Sequence, residues 1–117
     1  SAKRVLYYLT YGGPYIGLEE EGMIANSPGL AQYFGLSTPA GVLVAGLDRN
    51  SPAFRAGVRP RDVVLAVNGA KVQGPDQLRD EVLKRKIGET ITLSVQRDAQ
   101  QLEITMVAGR HPGFKGG

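Results

Sequence analysis

Residues suited to chemistry are concentrated near the start of this 117-residue chain, in Pro14-Tyr15-Ile16-Gly17-Leu18 followed by Glu19-Glu20-Glu21. This stretch is typical of a glycine-containing turn that runs directly into a short strand. Successive backbone N–H groups in such a turn form a concave anion site, and glycine lets a ligand approach the backbone closely. We therefore expect Tyr15, Ile16, Gly17 and Leu18 to present N–H groups to a carboxylate.

The other polar residues offer little catalytic or metal chemistry. Adjacent strand residues point to opposite faces, so at most Glu19 and Glu21 lie on the same face of the strand. We expect the acidic run to be solvated. His111 is the only histidine, in a Gly- and Pro-rich stretch expected to be loose, which makes it a poor base for a Ser–His–Asp triad. The chain has no cysteine, which excludes disulfides and thiolate catalysis. We expect no catalytic residue, metal or cofactor.

Charge and hydropathy argue against nucleic-acid and membrane partners. The net charge is only +3, and the one tight basic run, Lys84-Arg85-Lys86, suits the C-terminal end of a helix. No aromatic residues interleave with that run to stack on bases. No apolar run approaches the ~20 residues of a membrane span, and no targeting signal is recognisable. With 42% hydrophobic residues, the composition favours one globular domain.

Serine, proline and glycine delimit the predicted helices. Ser27-Pro28 and Ser51-Pro52 each predict an N-cap followed by Pro at the first helical position, with Gly35 and Gly57 as C-terminal stops. The longest helix is expected over residues 75–86, with an apolar stripe that includes Leu78, Val82 and Leu83. A further helix is expected over residues 2–11 and a loose tail from residue 109.

The strands are predicted from apolar runs and period-two alternation. Residues 42–47 and 63–67 are nearly continuous apolar runs, and residues 90–97 and 101–107 alternate in polarity. Asn68-Gly69 predicts a hairpin, because both residues tolerate the positive φ of a type I′ turn. We therefore expect a mainly β (α+β) fold, a five- to six-stranded antiparallel β-barrel or sandwich capped by one long and one short helix.

The pattern Ser51-Pro52-Ala53…Ala56-Gly57-Val58…Asp62-Val63-Val64…Val67-Asn68-Gly69 resembles the central signature of bacterial-type PDZ domains. Together with the turn at Tyr15, it resembles the PDZ domain of HtrA (Deg) serine proteases over residues 14–108. Residues 1–13 are similar to the linker helix from an upstream domain, and residues 109–117 are expected to form a flexible tail. One departure is Arg61, since family members commonly have Gly immediately before the Asp.

The resemblance implies a peptide groove. The turn would hold a peptide's terminal carboxylate, and the extended peptide would add antiparallel to a strand over residues 18–22. Ile16 and Leu18 would line the pocket for the last side chain, and Glu19 and Glu20 would follow along the groove. The opposite wall would carry Leu78, Arg79 and Val82. We also expect Glu20 to pair with Arg79 across the empty groove, and Gly17→Val to close the turn while leaving the barrel folded.

The resemblance further implies a non-catalytic peptide-binding module of a protease. Such a module would bind C-terminal peptides of unfolded or substrate proteins and feed or regulate a serine endopeptidase of the periplasm or cell envelope. The glycine-flanked nucleophile motif of that protease class is absent from this sequence, so the chain itself is expected not to be an enzyme. The alternatives are the PDZ module of a membrane metalloprotease and a protein–protein scaffold.

Overall fold

The structure is a computed structural model that describes residues 13–113. Within this range the chain forms eight strands: β1 Pro14–Tyr15, β2 Met23–Ala25, β3 Val42–Val44, β4 Val63–Val67, β5 Ala70–Lys71, β6 Thr90–Arg97, β7 Gln100–Val107 and β8 Gly109–Arg110. Three α-helices join them: α1 Pro28–Phe34, α2 Pro52–Ala56 and α3 Pro75–Leu83. A short 3-10 helix, Glu20–Gly22, precedes β2. The predicted helix over residues 2–11 lies outside the described residues.

The strands form two antiparallel sheets. The larger runs β2-β3-β4-β6-β7, with β5 paired to β4, and the smaller pairs β1 with β8. The predicted alternation is confirmed in β6, where Ile91, Leu93 and Val95 are buried. These side chains join one core with Leu78 and Val82 of α3. The mainly β fold with helical caps is therefore confirmed, and both short helices indicated by the Ser-Pro pairs are present.

The two short helices begin and end as the sequence predicts. The Ser27 hydroxyl accepts a hydrogen bond from the N–H of Leu30, and the Ser51 hydroxyl accepts one from the N–H of Phe54. Gly35 and Gly57 follow the helices with positive φ, which glycine adopts at no steric cost. The side chains of serine satisfy helix N–H groups that have no partner within the helix.

Helix α3 ends at Leu83, three residues before the predicted end. The N–H of Arg85 donates to the carbonyl of Val82, which tightens the last turn. The next N–H, of Lys86, donates to the side chain of Glu89 at 2.7 Å instead of continuing the helix. The basic run therefore lies just after the helix, where its charge still suits the helix dipole.

In the described part of the chain, three turns carry positive φ at a residue other than glycine, namely Arg61, Asn68 and Asp98. Asn68 and Gly69 have φ of 48° and 83°, which confirms the predicted hairpin between β4 and β5. Arg61, where relatives were expected to have Gly, has φ of 77°. Its guanidinium donates to the carbonyl of Phe34 at 2.8 Å. The turn before β4 therefore keeps a conformation that favours glycine, although an arginine occupies it.

Asp62 lies immediately before β4 and is almost fully buried. Its carboxylate accepts two hydrogen bonds from Arg97 of β6, at 2.8 and 2.7 Å, and one from the N–H of Arg59. Arg97 also donates to the carbonyl of Gly57 after α2. This ion pair therefore ties the ends of β4 and β6 to α2, and the hydrogen bonds to Asp62 raise the pKa of Arg97.

Two sequence predictions are wrong. Residues 18–22 do not form a strand, because the N–H of Gly22 donates to the carbonyl of Glu19 and closes a 3-10 turn. The carbonyl of Gly22 accepts hydrogen bonds from the N–H groups of Ala45 and Gly46, so pairing with the chain that follows β3 begins at Gly22. The tail is not loose at its start, since Gly109–Arg110 pairs with β1. Residues 114–117 lie outside the described part.

Within residues 13–113, no helix combines the length and apolar character that crossing a membrane requires.

Candidate functional site

The turn formed by residues 15–18, called the 15–18 turn below, connects β1 with the 3-10 helix. It is held on one side by β8, which pairs with Pro14 and Tyr15. On the other side the carbonyl of Ile16 accepts a hydrogen bond of 2.8 Å from the N–H of Ala53, in the first turn of α2. Among the hydrogen bonds of residues 13–113, the backbone N–H groups of Gly17 and Leu18 have no acceptor. These two donors are therefore available to an anion.

Gly17 is required by packing as well as by conformation. Its φ is +98°, and a Cβ built on it would lie 2.0 Å from the Cβ of Ser51. A side chain here would therefore collide with the N-cap of α2. The expectation that Gly17→Val leaves the barrel folded stays a prediction, and the clash with Ser51 means that either the turn or the N-cap of α2 has to shift in that variant. The Ser51-Pro52-Ala53 motif thus caps α2 and also supports the 15–18 turn.

A narrow cleft of about 30 Å³ lies between the 15–18 turn and α3. Eight of the residues singled out in the sequence line it: Tyr15, Ile16, Gly17, Leu18, Glu19, Leu78, Arg79 and Val82. Two further lining residues, Pro14 and Leu83, were not among the predicted site residues. Both neighbour predicted ones, and Leu83 belonged to the apolar stripe that the sequence indicated.

The floor of the cleft is part of the core. Ile16 and Leu18 are only 3% and 7% exposed and pack with the buried side chains of the sheet. Val82 and Leu78 close the opposite side from α3. Apolar side chains therefore dominate the interior, and Arg79, itself buried, adds the basic group of the α3 wall.

Glu20 was also assigned to the groove from the sequence. Its backbone opens the 3-10 helix, and its side chain lies outside the described part of the structure. The predicted pair between Glu20 and Arg79 therefore stays a prediction.

Beyond the 3-10 helix, β2 forms one end of the six-stranded sheet. Gly22 pairs with Ala45 through its carbonyl, and the N–H of Asn26 donates to Gly41. Because hydrogen-bonded positions alternate along an antiparallel pair, Ile24 is the residue of β2 that bonds to β3. The N–H groups of Met23 and Ala25 consequently point away from β3. Since α3 contacts both β1 and β2, this open edge borders the cleft.

Tyr15 is the first residue of the 15–18 turn and is buried. Its hydroxyl donates to the carboxylate of Asp48 at 3.4 Å. Burial raises the pKa of Tyr15 to about 12, and the negative charges of Asp48 and Glu19 add to this effect. The phenol therefore remains neutral at physiological pH and acts as a packing group and hydrogen-bond donor.

Sequence reasoning missed His111, which lies at the rim of the site. The structure stacks its ring edge-on against Tyr15, with 4.9 Å between the ring centroids. Its isolated position in a Gly- and Pro-rich stretch contained no signal for this, because the contact depends on the pairing of β8 with β1. Among the described residues, no group of His, Asp and Glu side chains is arranged to hold a metal ion.

Comparison with known proteins agrees with this architecture. The family profile of the PDZ domain matches residues 14–107. A probable periplasmic serine endoprotease DegP-like of Halomonas elongata is 34% identical over 88 residues, which cover 75% of this chain and 19% of that protein. The magnetosome formation protease MamE of Paramagnetospirillum magneticum is 36% identical over 75 residues, 64% of this chain and 10% of that protein. The chain thus spans about a fifth or less of these curated relatives.

Solved structures give the same result. The HtrA-type protease AlgW with a decapeptide superposes with a TM-score of 0.76 at 28% identity, covering 95% of this chain and 34% of that one. The HtrA3 PDZ domain bound to a phage-derived ligand has a TM-score of 0.69 at 24% identity, covering 81% and 84%. The first likeness extends to sequence, and the second supports the fold alone. The chain therefore belongs to the PDZ domain family and is a PDZ domain of the HtrA protease type.

Proposed function

We propose that this domain binds the free C-termini of extended peptides in the cleft between the 15–18 turn and α3. The observation that carries the proposal is the position of the N–H groups of Gly17 and Leu18, which have no acceptor among the described residues, at the head of an apolar cleft. Successive N–H groups suit a carboxylate. The open edge of β2 then suits the peptide backbone, which would extend the sheet by one strand.

The lining of the cleft favours an aliphatic last side chain. Ile16, Leu18 and Val82 surround the position next to the two donors. Burying such a side chain contributes about 1.5–3 kcal/mol, and each charge-assisted hydrogen bond about as much. Association itself costs at least about 4 kcal/mol. Two such hydrogen bonds and one buried side chain therefore leave at most about 5 kcal/mol, a dissociation constant on the order of 0.1 mM. Backbone pairing with the β2 edge would add to this affinity. The structures of AlgW with a decapeptide and a tripeptide support peptide binding by a relative of this domain.

The wider proposal concerns the protein to which this domain belongs. Curated relatives are described as periplasmic serine endoproteases. We infer that the domain presents the C-termini of unfolded proteins to a serine endopeptidase domain of the same protein, in the periplasm, and feeds or regulates it. Adding a saturating C-terminal peptide to the full-length protease separates the two roles. Regulation predicts faster hydrolysis of an unrelated reporter, whereas feeding predicts competition with unfolded substrates only.

Binding to the free carboxylate is tested with one labelled peptide in two forms. The peptide ends in valine, either as the free acid or as the C-terminal amide, and fluorescence anisotropy measures the dissociation constant of each. We expect the amide to bind at least about tenfold more weakly, because one lost charge-assisted hydrogen bond is worth about 1.5–3 kcal/mol. A control peptide with glycine at the end tests the apolar cleft. Equal affinity of acid and amide would overturn the proposal.

A further inference from the structure

His111 contacts the binding site through two residues. Its ring lies against Tyr15 of β1, and its Nε2 lies 3.6 Å from a carboxylate oxygen of Glu19. On the other side of the ring, Nδ1 accepts a hydrogen bond of 2.8 Å from the N–H of Gly113. Because Nδ1 acts as an acceptor, the proton of the neutral ring is on Nε2 and faces Glu19. The side chain of His111 is 14% exposed and that of Glu19 is 41% exposed, so the imidazole is largely covered while the carboxylate lies at the surface.

Glu19 directly follows the 15–18 turn and lines the cleft. Its negative charge therefore lies beside the position proposed for the ligand carboxylate, and like charges at close range repel. Tyr15 and Glu19 face the His111 ring, and Arg110 precedes it in the chain. Asp48 and Arg55 act on Tyr15 from the other side. Of these groups, Glu19 is the carboxylate paired with the imidazole.

We propose that His111 is a positioning residue that sets the net charge beside the carboxylate site through Glu19. A neutral imidazole leaves the charge of Glu19 to oppose the ligand carboxylate. An imidazolium pairs with Glu19 and offsets that repulsion, so that the domain binds free C-termini more tightly in mildly acidic solution. The proposal rests on the function proposed above, because it concerns the same carboxylate.

The direction of the pH effect follows from the charges of the imidazole and of the ligand carboxylate. Histidine changes charge between about pH 5 and pH 8, whereas a peptide's terminal carboxyl titrates only near about pH 3.5. A proton added to the imidazole therefore changes the charge beside Glu19 while the ligand keeps its carboxylate. Protonation at Nδ1 ends its role as acceptor for Gly113, while Nε2 keeps its N–H toward Glu19. The expected result is tighter binding at lower pH.

The experiment measures the affinity of the valine-ended free-acid peptide at low ionic strength, at about pH 5.5 and about pH 7.5. We expect affinity to increase about three- to fivefold at the lower pH, as for a partly screened charge pair. His111→Gln, which stays neutral, is expected to bind weakly at both values. Glu19→Gln, which removes the repelling charge, is expected to bind tightly at both. A purely structural role would weaken both variants alike, without this opposite pattern.

Each outcome has a distinct meaning. A pH dependence that persists in His111→Gln, or a Glu19→Gln variant that binds no tighter than the unmodified domain at neutral pH, would overturn the inference. Chemical denaturation checks that both variants remain folded. The amide form of the peptide should show no pH trend. If acid and amide bind equally at every pH, the proposed function fails; if they differ but neither depends on pH, only the role of His111 fails.

Discussion

Gly17 combines a positive φ of +98° with direct contact between its backbone and the side chain of Ser51. Either feature alone makes glycine favourable there. Together they mean that the residue that opens the turn to a ligand also decides how closely the turn packs on α2. Gly88 provides a natural comparison, because its φ is +93° and nothing lies within 4 Å of a Cβ built on it. The two glycines thus separate backbone strain from steric collision.

We expect Gly17→Ala to destabilise the domain more than Gly88→Ala. Both substitutions cost about 1–2 kcal/mol for a left-handed residue. Only the first adds a collision with Ser51, which costs about 1–3 kcal/mol more. Urea denaturation of the two variants measures the difference in free energy of unfolding. Equal losses would mean that Ser51 moves away without cost and that Gly17 is required only for its conformation.

Strand β2 is the element whose placement differs most from the sequence expectation. The acidic run before it forms a 3-10 turn, and the strand begins only at Met23. The open edge next to the cleft is therefore formed by residues 23–25, not 18–22. The outward N–H groups of Met23 and Ala25 then supply the pairing that a peptide strand needs, while Ile24 keeps the sheet together through Leu43.

Ala25→Pro should weaken peptide binding without breaking the sheet. Proline removes the outward N–H of residue 25, and proline is tolerated on edge strands for this reason. One backbone hydrogen bond is worth about 0.5–1.5 kcal/mol, which predicts a loss of affinity of about two- to tenfold. The matched control is Ala25→Val, which keeps the N–H. Should both variants bind the free-acid peptide as the unmodified domain does, the peptide does not pair with β2 at this residue.

Across the whole molecule, the candidate binding site shares side chains with the hydrophobic core at the 15–18 turn but not at the ion pair of Asp62 and Arg97. The 15–18 turn shares its side chains Ile16 and Leu18 with the core, and β8 holds it from the far end of the chain. The pair of Asp62 and Arg97, by contrast, is not among the residues that line the cleft and links β4, β6 and α2. Stability and ligand binding should therefore respond differently to changes at the two places.

Arg97→Met tests this separation. The variant leaves the buried carboxylate of Asp62 with only the N–H of Arg59, which we expect to cost about 2–3 kcal/mol of unfolding free energy. Arg97→Lys keeps the positive charge but loses the bidentate geometry. Its unfolding free energy should lie between that of the unmodified domain and that of Arg97→Met. Denaturation measures stability, and anisotropy under native conditions measures affinity. A changed dissociation constant in a fully folded Arg97→Met sample would contradict the separation.

The elements with strong local causes were predictable. Ser-Pro pairs, Asn-Gly and the alternation of residues 90–97 act over a few residues, so the helices α1 and α2, the hairpins and most of the sheet followed from the chain alone. The eight cleft residues were predictable for a related reason. The 15–18 turn and the stripe on α3 each have their own pattern, and the family resemblance supplied the relation between them.

Contacts between distant segments were not predictable in the same way. The sequence by itself determined the turn, its glycine, the helix opposite and the PDZ type of fold, because short-range sterics and hydrophobic periodicity specify them. Only the tertiary structure decided that Gly17 packs on Ser51, that the open edge begins at Met23, and that His111 reaches Glu19. These depend on how β8 pairs with β1 and how residues 18–22 pack on the β3 segment, and no local preference encodes either arrangement.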